Sequence, residues 1–152
     1  MNINDAALRY LSARSRSASE MKRQLSRKGF SEEEIDSLIA EFKEFGYLDD
    51  LRFCQEYFQY AFGKGKGKRL VFHELREKGV DQGYIDQAYE DLDLEMDEAD
   101  RAREEAAKVL RTAEIQDGQA VPEKVLARIA RKLQAKGYSS DIIYSIIGDM
   151  RR

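Results

Sequence analysis

Apolar residues along this chain recur at spacings of three and four, the signature of helices that bury one face. Ala7, Leu8 and Leu11 mark a first stripe, and Phe53, Tyr57, Phe58 and Ala61 mark another. A later one runs through Ala99, Ala102, Ala106, Val109 and Leu110. No segment alternates with the period of two that a half-buried strand requires. The stripes are ordered by a repeat centred on three Lys-Gly pairs, Lys28-Gly29, Lys78-Gly79 and Lys136-Gly137. Leucine stands four positions before each glycine (Leu25, Leu75, Leu133), and isoleucine six after it (Ile35, Ile85, Ile143). Met21, Val71 or Ile129 stands eight before, and Phe42, Leu92 or Met150 thirteen after.

Each glycine suits the residue that follows a helix in a left-handed conformation, where a side chain is a steric burden. Ser31, Asp81 or Ser139 then supplies an N-cap two residues later. Phe30–Ile35, Val80–Ile85 and Tyr138–Ile143 have the N′–N4 spacing of a hydrophobic staple. Ser31 with Glu34, and Ser17 with Glu20, have the spacing of capping boxes. With one further helix ahead of each pair, the prediction is an all-α protein: an elongated array of three tandem three-helix repeats at 1–48, 49–95 and 96–152. The longer third repeat places its extra residues near Glu114–Val121, and Pro122 fits the first turn of the helix that follows.

Composition supports cores that are adequate but thin: 42% of the 152 residues are hydrophobic and 36% are charged. The net charge of −3 conceals segregation. Residues 9–28 hold seven basic residues and one acid, 63–78 six against two, and 124–136 five against none. Each window covers the second helix of a repeat. Residues 31–50 carry eight acids and one base, and residues 90–105 nine against two. One reading is a set of solvated helix faces balanced by acidic neighbours. The other is a basic face directed at a polyanion or an acidic groove. That face would comprise Arg14, Arg16, Lys22 and Arg23, then Lys64, Lys66, Lys68, Arg69 and His73, then Arg128, Arg131, Lys132 and Lys136. His73 joins them because it aligns with Arg23 and Arg131.

Catalytic constellations are not found. A lone Cys54 offers no disulfide partner, and a single histidine leaves no metal-ligand cluster, so no metal or other cofactor is expected. Asp49-Asp50 reads as a helix start rather than an acid–base pair. The run Gly63–Lys68 alternates glycine with lysine but lacks the spacing and the hydroxyl of a phosphate loop. It reads as a flexible basic loop able to touch phosphate. No apolar run reaches the length of a membrane span, and no leader segment is seen, so a cytoplasmic protein is expected.

Phe45-Gly46-Tyr47-Leu48-Asp49-Asp50 followed by Arg52-Phe53 resembles the signature of the RecX family of recombination regulators. Ala7-Leu8, Tyr10-Leu11 and Arg14, with Glu20, Leu25 and Lys28-Gly29-Phe30, resemble its opening repeat. Glu74-Leu75 with Lys78-Gly79-Val80 resembles the middle repeat, and Leu133 with Lys136-Gly137-Tyr138 the last. The resemblance implies a protein that binds RecA, as a filament on single-stranded DNA, and mostly inhibits its strand exchange, ATPase and coprotease activities. That role belongs to DNA repair, recombination and the SOS response. It implies no catalytic residues, with Gly29, Gly46, Tyr47, Asp49, Asp50, Gly79 and Gly137 as structural positions. A monomer touching RecA, and DNA phosphates beside it, is expected. The alternative is a stand-alone helical DNA-binding protein using the basic second helices, against which the sequence pI of 5.4 argues.

Overall fold

The computed structural model describes residues 1–152 and contains helices without strands. Nine helices follow in order: α1 Ile3–Ala13, α2 Ala18–Arg27, α3 Glu32–Glu44, α4 Asp50–Gly63, α5 Lys68–Glu77, α6 Gln82–Glu90, α7 Glu98–Thr112, α8 Glu123–Ala135 and α9 Ser140–Met150. The three-helix repeat read from the Lys-Gly pairs is thus present. Ser17, Ser31 and Ser139 cap α2, α3 and α9 with their side chains, and Ser17 with Glu20 forms a complete capping box. Asp81 occupies the N-cap position of α6 without a side-chain bond. Pro122 sits one position earlier than expected, as the N-cap of α8 with ψ 148°. Its extended backbone belongs to the 113–122 segment rather than to the first helical turn.

Two compact units divide the chain, one formed by 1–58 with 74–92 and the other by 59–73 with 93–152. The boundary therefore runs inside α4 and α5. In the first unit Ala6, Ala7, Met21, Leu25, Ile35, Leu38, Phe42 and Leu48 form a core. In the second, Ala102, Ala106, Val109, Val125, Ile129, Leu133, Tyr138, Ile143 and Ile146 do the same. The sequence stripe of α1 is rotated from expectation: Ala6 and Ala7 are buried, while Leu8 is 46% exposed. Two alanines let α1 approach its neighbours closely, which turns the larger Leu8 outward.

Two of the second helices, α2 and α5, share one anchoring device. Ser17 Oγ donates to the carbonyl of Lys78 at 2.8 Å, and the Ala18 N–H donates to Asp50 Oδ1 at 2.9 Å. In the second unit the Gly67 N–H donates to the carbonyl of Lys136 at 2.7 Å, and the Lys68 N–H to Glu98 Oε1 at 2.6 Å. The start of a second helix thus rests on the Lys-Gly turn of the next repeat. An acid at the start of that repeat's first helix satisfies one of its orphan N–H groups.

The three Lys-Gly glycines all have positive φ, but their surroundings differ. A Cβ on Gly29 would meet nothing within 4 Å, whereas one on Gly137 would collide with Leu70, including its backbone nitrogen at 2.6 Å. Gly29→Ala should therefore cost roughly 1–2 kcal/mol from backbone conformation alone. Gly137→Ala should cost roughly 1–3 kcal/mol more, since a backbone must shift. Urea melts of the two variants check the order, and equal losses would contradict it.

Candidate partner-binding face

The residues read from the sequence as one basic face fall into two groups by environment. In the first unit Arg14 makes a two-pronged ion pair with Glu20, at 3.0 and 3.3 Å. Arg16 lies over the Tyr10 ring and donates from Nε to the Tyr10 carbonyl at 3.4 Å. Burial, then the neighbouring Arg14, lowers the Arg16 pKa from its ordinary value. Arg23 donates to the Glu77 carbonyl at 3.3 Å, beside a cleft that Glu20, Tyr57 and Lys78 also line. Lys22 stays exposed, 3.5 Å from Asp36 across α2 and α3.

The second unit holds the remaining nine. Helix α8 sorts its own basic residues. Arg128 and Arg131, three positions apart and so on one face, are exposed and carry no ion pair. Lys132 and Lys136 lie on the other edge, with Nζ 3.6 and 3.9 Å from Glu105 Oε1. Lys136 also donates to the Lys64 carbonyl at 3.0 Å. Arg69 and His73 are exposed, Lys66 is half-buried, and half-buried Lys68 has its ammonium 5.2 Å from the Phe72 ring centre.

Glu105 stands in the acidic window 90–105, where charge count gives no sign of burial. It is 3% exposed and also binds Lys108 Nζ at 2.6 Å. Arg101, one turn earlier, is 7% exposed, stacks 4.0 Å from the centre of the Phe62 ring and donates to the Met96 carbonyl at 3.0 Å. The signal was present in spacing. Glu105 stands at i+3 from Ala102 and i−4 from Val109, on the apolar stripe itself. A carboxylate there is tolerated because cations surround it.

Gly63–Lys68 is not a flexible loop. Gly65 and Gly67 are buried, with a Cβ on Gly65 running into the Glu105 side chain and one on Gly67 meeting the Gly137 carbonyl at 2.8 Å. Tyr138 donates to the Gly65 carbonyl at 2.8 Å, and burial pushes its pKa up to about 12. Packing, not chain freedom, sets where these lysines stand.

The Gly46–Arg52 signature is a structural joint in the first unit. Gly46 has φ 79°, Arg52 Nη2 donates to its carbonyl at 2.9 Å, and Asp49 accepts from the Arg52 N–H at 3.1 Å. Asp50 reaches across to α2, a role that adjacency to Asp49 did not disclose. Tyr47 is 53% exposed and so is not part of the core. Cys54 is fully buried, and desolvation, then Asp50, pushes its thiol up to about 12. No group of three or more His, Cys, Asp or Glu is placed to hold a metal ion, and no helix is long and apolar enough to cross a membrane.

Two ion clusters yield predictions. Glu105→Gln should destabilise the chain by roughly 1–3 kcal/mol, because Lys132 and Lys136 lose their counter-charge in a half-buried setting. Denaturant titration measures it, and no loss would mean that the cluster is neutral to folding. Burial alone would raise the Glu20 pKa, but Arg14, the Ser17 N–H and Lys78 together hold it below the ordinary glutamate value. Its contribution to stability is therefore complete above the ordinary glutamate range and lost as pH falls through the lower folded value. The gap in melting temperature between wild type and Glu20→Gln should be widest at neutral pH and close below about pH 4. A gap independent of pH would contradict this linkage.

Known proteins resemble this chain over most of its length. The family model for RecX, first three-helix domain, matches residues 5–42, and that for RecX, second three-helix domain, matches residues 49–88. The regulatory protein RecX of Trichlorobacter lovleyi is 36% identical over 140 residues, covering 91% of this chain and 88% of its own. That of Vibrio vulnificus is 30% identical over 151 residues, covering 98% and 93%. The crystal structure of RecX from Lactobacillus salivarius superposes with a TM-score of 0.74 at 24% identity, over 96% of this chain and 92% of that one.

Proposed function

The chain belongs to the RecX family, and from that premise we propose that it is a non-enzymatic regulator that binds RecA filaments on single-stranded DNA. It restrains strand exchange, ATP hydrolysis and coprotease activity by occupying the filament, in the cytoplasm, as a monomer. Its place is in DNA repair, recombination and the SOS response. Family membership supports the partner, and the charge arrangement supports the surface.

The observation that carries the surface is the outer edge of α8. Arg128 and Arg131 are exposed with no carboxylate holding them, so their charge is available to a partner. Arg69 has the same character, and Lys22 is bound only by an exposed pair with Asp36 that contributes little. A filament groove encloses a phosphate backbone, and unpaired guanidinium groups suit phosphate through two parallel hydrogen bonds. Lys132 and Lys136 act differently: they hold Glu105 and keep α8 in place.

Arg128→Glu with Arg131→Glu should weaken binding to a preformed RecA filament roughly tenfold or more at about 50 mM salt, leaving the melting temperature nearly unchanged. The deficit should narrow at about 200 mM salt, as screening removes the wild-type advantage. Fluorescence anisotropy with labelled single-stranded DNA, with and without RecA, measures this. Equal affinity for bare DNA would favour the stand-alone DNA-binding reading. A larger loss from Glu32→Lys with Glu33→Lys would move the surface to the acidic side.

A further inference from the structure

The first unit carries an exposed apolar patch that the basic face does not use. Leu8 of α1, Phe45 at the end of α3 and Tyr47 of the following turn are 46%, 61% and 53% exposed. They meet around a groove of about 220 Å³ whose remaining lining is Asn4, Glu41 and Phe42. Tyr47 packs edge-on against buried Phe42, with ring centres 5.3 Å apart, and lies 6.0 Å from Phe45. The aromatic walls are thus braced by the core rather than free to collapse.

Folding does not explain this exposure. Leucine, phenylalanine and tyrosine gathered in one place leave apolar area in water that a partner would cover. The groove is smaller than the roughly 300–1,000 Å³ of small-molecule sites, and matches one anchoring side chain of a protein partner. Its single charged lining residue is Glu41, and Glu44 stands one turn further along α3. Glu41 in the groove wall is what a cationic flank of a peptide would meet.

We propose that the Leu8–Phe45–Tyr47 groove docks a protein segment with one aromatic or long aliphatic anchor flanked by lysine or arginine. The anchor enters the groove between Leu8 and the Phe45–Tyr47 ring pair, and its basic neighbours meet Glu41 and Glu44. This surface belongs to the first unit, whereas the exposed arginines of α8 belong to the second.

The test needs no RecA, so its failure is distinct from failure of the filament reading. Full-length ¹⁵N-labelled chain is titrated with three synthetic 12-residue peptides: one with a phenylalanine anchor flanked by lysines, one with the anchor changed to serine, and one with the lysines changed to glutamate. Only the first should shift the amides of Leu8, Glu41, Phe45 and Tyr47, and the other two should bind at least tenfold more weakly. Phe45→Ser and Glu41→Lys should each remove that response while the remaining spectrum stays folded. Equal binding of the serine peptide, or shifts confined to Glu32–Glu34, would reduce the effect to general charge attraction and overturn the proposal. So would self-association of the chain alone that Phe45→Ser abolishes, because a second copy would then be the occupant.

Discussion

The arrangement of this molecule depends on how the donors at the start of two of its second helices, α2 and α5, find acceptors. A helix start leaves several N–H groups unpaired, and burying them without partners would cost more than a packed side chain returns. Here the acceptors lie far away in sequence. At the start of α2 the Lys78 carbonyl accepts the Ser17 hydroxyl and Asp50 the Ala18 N–H, and at the start of α5 Lys136 and Glu98 accept the Gly67 and Lys68 N–H groups. The Lys-Gly turn thus ends one helix and anchors the second helix of the repeat before it. That double duty accounts for the tight quarters around Gly79 and Gly137, which the isolated first glycine, Gly29, does not share.

Charge is organised by the same economy. Glu20 and Glu105 are carboxylates set among cations, and each draws basic side chains inward: Arg14 and Lys78 to the first, Lys108, Lys132 and Lys136 to the second. What is left outside is a smaller set than the sequence windows imply. On α8 the division is sharp, since residues one position apart point about 100° away from one another. Arg131 faces solvent and Lys132 faces Glu105. A count of basic residues in a window overstates the charge that a partner would meet.

Most buried polar groups of the two units find partners within their own unit, the exception being Arg101, whose Nε and one terminal nitrogen lie buried without a hydrogen bond. The polar clusters fix helix positions, and arginines on α8 and aromatic rings beside α3 stay exposed.

The sequence by itself determined the helices, because helix periodicity, caps and left-handed glycines are local properties written within a few residues. Ser17, Ser31 and Ser139 cap as their spacing requires, and the three isoleucines after the glycines are buried. It also determined the family, through a signature whose glycine and aspartates make one joint. Only the tertiary structure decided which way each side chain faces once helices pack. Leu8 turned outward because two alanines set the approach of α1. Asp50 capped a helix 32 residues earlier, and Glu105 became buried because three lysines converged on it. Those outcomes rest on contacts between distant segments, and a one-dimensional pattern does not carry the distances that decide them.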